Sequence, residues 1–116
     1  MWIMLKDAFF SAVDKAKTPG CLVVRARRQG DLERYFPGAA VQKTVGNDYL
    51  FRAEIPREEV ARVLTEYVMN ISASNFKDSV ADDKLHDAYM GVWHIMARLQ
   101  PIAPYARPGR GQGALL

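Results

Sequence analysis

Residues 21–36 read CLVVRARRQGDLERYF, and the fold turns on how that stretch is divided. Leu22, Val24 and Ala26 alternate with Val23, Arg25 and Arg27. Successive side chains of a strand point to opposite faces, so one face is apolar and the other carries two arginines. That pattern suits an antiparallel sheet with one face against a core. Gln29-Gly30 ends the strand, because glycine accepts backbone angles closed to other residues. Asp31 is then placed to cap a short helix, which Pro37-Gly38 stops. Arg25, Arg27 and Arg28 can form an anion-binding surface. The alternative is a solvated strand face, or arginines paired with nearby carboxylates.

Upstream, residues 1–13 fit two patterns. Leu5, Phe9, Ala12, Val13 and Ala16 share a helical face, while Trp2, Met4 and Phe9-Phe10 suit strand. One or two short strands are the expectation, with 14–20 as a turn and a hairpin into the Cys21 strand. Downstream, 39–45 reads as a third strand and Gly46-Asn47-Asp48 as a turn. A fourth strand covers 49–55. Tyr49, Phe51, Ala53 and Ile55 share its inner face, and Arg52 and Glu54 fall on the side of Arg25 and Arg27, where Glu54 would neutralise part of the charge.

Pro56 sits at a favoured helix start, and Glu58 and Glu59 suit the positive end of the helix dipole. Val60, Val63, Leu64, Tyr67, Val68 and Ile71 then recur at three- and four-residue spacing, the clearest helix in the chain. It is expected to lie across the apolar sheet face. Asp82 or Asp83 can cap a last helix with the stripe Leu85, Tyr89, Val92, Trp93, Met96 and Leu99. Trp2 and Trp93 are expected in the core, given their apolar neighbours. The fold class is therefore α+β: a small antiparallel sheet of about four strands with two main helices packed on one face, over 1–100. Residues 101–116, PIAPYARPGRGQGALL, form a Pro/Gly-rich basic tail.

A chain of 116 residues is one domain by size and can bury a core without metals or disulfides. Its lone thiol, Cys21, cannot make an internal disulfide, which points to a reducing, cytoplasmic compartment. No apolar run approaches a membrane span, and Lys6 and Asp7 interrupt the apolar start where a signal peptide would continue. Residues 1–100 hold fourteen Lys/Arg against thirteen Asp/Glu, a net +1. Arg107 and Arg110 supply the remaining two of the formal +3. Nucleic-acid-binding domains concentrate far more positive charge, so the charge argues only weakly for such a partner.

No catalytic constellation is present. His86 and His94 lie two helical turns apart, too far for one metal to be chelated by the histidines alone, and no HExxH or CxxC accompanies them. Asp82, Asp83 and Asp87 suit a helix N-terminus better than acid–base work. Gly109-Arg110-Gly111 lacks the Lys-Ser/Thr ending of a phosphate loop. No cofactor or metal is expected. Tyr105, Arg107 and Arg110 resemble glycine-rich segments that contact RNA or acidic protein surfaces; the alternative is a solubilising end.

The segments MWIMLKDAFFSAV, VRARRQGDLE, DYLFRAEIPREEVARVL, NFKDSV and VWHIMARLQ together resemble a family of small uncharacterised bacterial and phage proteins. The resemblance covers about residues 1–100 and brings no activity or catalytic residue; the tail departs from it. Small size, the absence of a catalytic set and this resemblance together point to a non-catalytic intracellular binding protein acting by protein–protein contact, in the setting of a bacterial or phage/mobile-element inhibitor of a host defence or regulatory complex. The expected contact residues are Arg25, Arg27, Arg28, Arg52, Tyr105, Arg107 and Arg110. The alternative is an accessory nucleic-acid binder using the arginine strand face and the tail. A homo-oligomer is compatible with either.

Overall fold

The computed structural model describes residues 1–105. Five antiparallel strands form one sheet in the order β1-β2-β3-β5-β4: β1 Trp2–Met4, β2 Phe9–Val13, β3 Cys21–Ala26, β4 Gln42–Lys43 and β5 Phe51–Pro56. The count is five rather than four because the N-terminal segment supplies a complete hairpin, with Ile3 opposite Phe10. Three α-helices are described: α1 Asp31–Tyr35 between β3 and β4, and α2 Arg57–Met69 and α3 Asp83–Met96 after β5.

The alternation of β3 operates as the sequence implies. Val24 and Ala26 are buried with Ile3, Phe10, Ala53 and Ile55, and α1 and α2 cover them through Leu32, Phe36, Val60 and Val63. Phe10 meets Phe36 edge to face, ring centroids 5.7 Å apart, a favoured aromatic geometry. On α2 the apolar stripe is only half used. Leu64 and Tyr67 pack at the rim of this core, while Val68 and Ile71 stay exposed beyond the sheet.

A second, smaller cluster holds α3. Val80, Leu85 and Tyr89 pack with Phe9, which by strand alternation shares its side of β2 with Ser11. The side chain of Asp82 caps α3 by accepting from the Leu85 amide at 2.8 Å. The six-residue stripe on this helix outruns the body: its first two members are buried, and Val92, Met96 and Leu99 are exposed.

Several local expectations are corrected. The strand placed at 39–45 is only Gln42–Lys43, because the Thr44 side chain bonds the Tyr49 and Leu50 carbonyls and closes the turn early. Tyr49 precedes β5 and leaves the predicted inner face. Gly30, at φ +94°, precedes α1 with no side-chain cap, so Asp31 is not its cap. Trp2 and Trp93 are exposed rather than core residues. Cys21 is a half-buried free thiol.

Candidate functional site

The arginines of β3 and β5 meet on the sheet face opposite α2. Arg25 stands directly across from Arg52, and Val23 from Glu54. Two like charges in register would repel, and the turn before β5 resolves this. Asp48 approaches Arg25 at 4.0 Å and Arg52 at 3.9 Å. Arg25 also donates to the buried Ser11 hydroxyl at 3.0 Å, and Arg52 Nε donates to Thr44 Oγ1 at 3.2 Å. Glu54 takes no part; it accepts from the Lys17 and Thr18 amides. The expected neutralisation is therefore real in kind but is supplied by Asp48.

Tyr49 lies under this network. The guanidinium carbons of Arg25 and Arg27 sit 4.5 and 4.3 Å from its ring centroid, a cation–π geometry worth about 0.5–2 kcal/mol each. The Arg25 side chain is only 13% exposed, and its Nε is buried without a partner. Arg27 is exposed and donates to the Asp48 carbonyl at 2.7 Å.

Arg28 belongs to a different network. It donates to Asp31 at 3.1 Å and lies 3.3 Å from Asp82, joining the end of β3 to the cap of α3. Asp31 is 3% exposed and also accepts from the Phe9 amide. Burial works against the charge of Arg28, but the Asp31 hydrogen bond and the Asp31 and Asp82 charges outweigh it and raise its pKa. The Leu85 amide and then Arg28 lower the pKa of Asp82. Tyr89 closes the arrangement: its hydroxyl lies 2.9 Å from both the Leu5 and Ala8 carbonyl oxygens. Burial first, then the Asp31 charge, pushes its pKa up.

Between α3 and the β1–β2 hairpin runs a cleft of about 260 Å³. Its apolar lining is Met4, Phe9, Leu85, Ala88, Tyr89 and Val92, and Arg27, Arg28, Lys84 and the carboxylate of Asp31, which pairs with Arg28, complete it. The cleft leads onto the exposed end of α3, where Met96 is 55% exposed, and to Leu99, 76% exposed, in the 3-10 turn Ala97–Leu99 that follows. Tyr105 stacks on Trp93, centroids 6.2 Å apart and planes 19° apart. Of the expected contact residues, Arg27 and Arg28 thus reach the cleft, Arg25 and Arg52 stand in the Asp48 network, and Tyr105 joins α3. Arg107 and Arg110 lie outside the described residues.

A broader open groove of about 750 Å³ lies beside α2. Two of its three lining cations are paired locally, Arg62 with Glu66 at 3.0 Å and Arg34 with Asp7 at 3.9 Å. Among the described residues no three His, Cys, Asp or Glu side chains are grouped to hold a metal ion, and no helix is long and apolar enough to cross a membrane. His86 lies 3.9 Å from Asp87, and His94 meets the edge of Trp93.

The apolar cleft was not singled out by sequence reasoning. Its signal lies in the stripe of α3, which runs on past the buried Leu85 and Tyr89 to the exposed Val92 and Met96. Comparison with protein-family models, curated proteins and solved structures gives no match.

Proposed function

We propose that this chain is a non-catalytic binding protein that works by protein–protein contact. The observation that carries the reading is the divided stripe of α3: Leu85 and Tyr89 are buried, and Val92, Met96 and Leu99 continue the same face into solvent. Contiguous exposed apolar surface of this kind marks interaction sites. The basic rim of Arg27, Arg28 and Lys84 favours a partner that carries carboxylates beside its apolar anchors. Tyr105, next to Trp93, extends the surface toward the tail, where Arg107 and Arg110 add positive charge. The resemblance to small bacterial and phage proteins supports a cytoplasmic inhibitor of a host defence or regulatory complex as the setting.

Nucleic-acid binding draws less support. Arg25 and Arg52 already share Asp48, which removes half of the strand arginines from a phosphate-contacting face.

The test is affinity capture of a bacterial partner by the full chain, beside Met96→Asp and Leu99→Asp. Both residues are exposed, so both variants should unfold like the parent while losing the partner. Capture that survives both substitutions removes α3 from the site. Failure to recover any stoichiometric partner overturns the reading. Removing residues 101–116 should weaken capture if Tyr105, Arg107 and Arg110 contribute.

A further inference from the structure

Among the described residues, the backbone groups on the outer edge of β1 have no partner. The Met1 ammonium donates to the Ala12 carbonyl and the Ala12 amide to the Met1 carbonyl, each at 2.9 Å. The Leu5 amide donates to the Ala8 carbonyl at 2.8 Å. With Ile3 opposite Phe10, the odd-numbered residues face β2. Antiparallel pairing alternates, so the N–H and C=O groups of Trp2 and Met4 point away from the sheet. β1 is the first strand in the sheet order, and among the described residues no backbone group meets that edge.

Proteins guard such edges with proline, charge or a bulge. Trp2-Ile3-Met4 has none of these. Its two flanking side chains are instead large, apolar and open, Trp2 at 75% and Met4 at 40% exposure. Met4 is also a wall of the apolar cleft. In paired strands, opposed residues point to the same face. A side chain carried by an added strand opposite Met4 would therefore point toward the cleft, between Phe9 and the Leu85–Tyr89–Val92 side of α3.

We infer that β1 accepts an extended segment of the partner as a sixth strand, with one apolar side chain in the cleft and a carboxylate beside it at Arg27 and Lys84. Strand addition draws affinity from main-chain bonds and specificity from pockets for alternate side chains, and both parts are in place. Three residues of edge supply few main-chain bonds, so the cleft must supply selectivity. The charge preference follows from the rim. Among the described residues neither Arg27 nor Lys84 is in an ion pair, whereas Arg28 is held by Asp31 and Asp82. The inference rests on protein contact as the chain's function.

The probe is an array of seven-residue peptides that alternate leucine, valine or phenylalanine with threonine, with or without a terminal glutamate. The full chain should bind a subset, with preference for the acidic members. N-methylation of alternate peptide amides should weaken the best binder at least tenfold, and methylation of the intervening amides should not. Hydrogen exchange at the Trp2 and Met4 amides should slow in the complex. Trp2→Pro, which removes one outward N–H at an edge position that tolerates proline, should weaken binding. No binder, indifference to N-methylation, or unchanged exchange at both amides overturns the inference. If Met96→Asp still abolishes partner capture, the broader reading survives that failure. Protection of the same amides that grows with the protein's own concentration assigns the edge to a second copy and overturns the inference too.

Discussion

The Tyr89 hydroxyl, carried by α3, lies 2.9 Å from the Leu5 carbonyl oxygen, next to the turn that joins β1 to β2. Tyr67 of α2 accepts from the Lys6 amide in the same turn at 3.0 Å, and Tyr35 of α1 donates to the Asp7 carboxylate. One turn is thus gripped by a tyrosine from each of the three helices. The Tyr89 bond is the buried one, so Tyr89→Phe leaves the Leu5 carbonyl short of a donor, while the Ala8 carbonyl keeps the Leu5 amide. It should cost about 1–2 kcal/mol. A lower urea midpoint with an unchanged denaturant slope would register this as lost stability alone.

Asp31 is expected to be the most sensitive polar residue. It is buried, satisfies the Phe9 amide and balances Arg28. Asp31→Ala orphans the Phe9 amide, leaves Arg28 with Asp82 alone, and should destabilise by about 1–3 kcal/mol. Asp31→Asn keeps an acceptor and should lose less. Equal loss in the two variants, measured by chemical unfolding, would assign the whole effect to the charge on Asp31 and contradict a contribution from the Phe9 hydrogen bond.

Acid should loosen the fold through Asp82 and Glu54. The Leu85 amide, then Arg28, hold Asp82 below its ordinary pKa; the Thr18 side chain, then the Lys17 and Thr18 amides, do so for Glu54. A carboxyl with a depressed folded pKa contributes stability that is fully present above its unfolded value, about 4. That contribution fades as pH falls through the folded value. Unfolding midpoints should therefore hold from neutral pH to about 5 and then decline. Asp82→Asn should flatten part of that decline, as read from midpoints at successive pH values.

The two strand arginines that share Tyr49 should separate by burial. Arg25→Ala removes the Ser11 bond, the Asp48 contact and one face of the ring clasp, for a loss of about 1–3 kcal/mol. Exposed Arg27→Ala should cost under about 1 kcal/mol. Amide exchange across 44–50 should accelerate in the first variant and stay near the parent rate in the second.

Periodicity made the central strands and both long helices legible in the sequence. Leu22, Val24 and Ala26 repeat with a period of two, and Val60, Val63, Leu64 and Tyr67 follow the helical spacing. Long-range polar choices were not legible. Nothing local says that Asp48 rather than Glu54 would meet Arg25 and Arg52, since that depends on a turn closed by Thr44. Asp31 looked like a helix cap because caps are local; its actual partners, Phe9 and Arg28, include a residue twenty-two positions away. The candidate site suffered most. A continuous stripe on α3 reads as core until the size of the surface it must cover is known.

The two rims of the sheet differ, and this bears on how large an assembly the chain can enter. The rim opposite β1 is β4, the exposed pair Gln42–Lys43, too short to template a strand and protected by its lysine. A segment added beside β1 finds no matching acceptor on the far side, so copies cannot chain through their sheets into a fibre. Growth stops after one addition. If β1 accepts an added strand, the stoichiometry compatible with this geometry is a single strand donor for each chain.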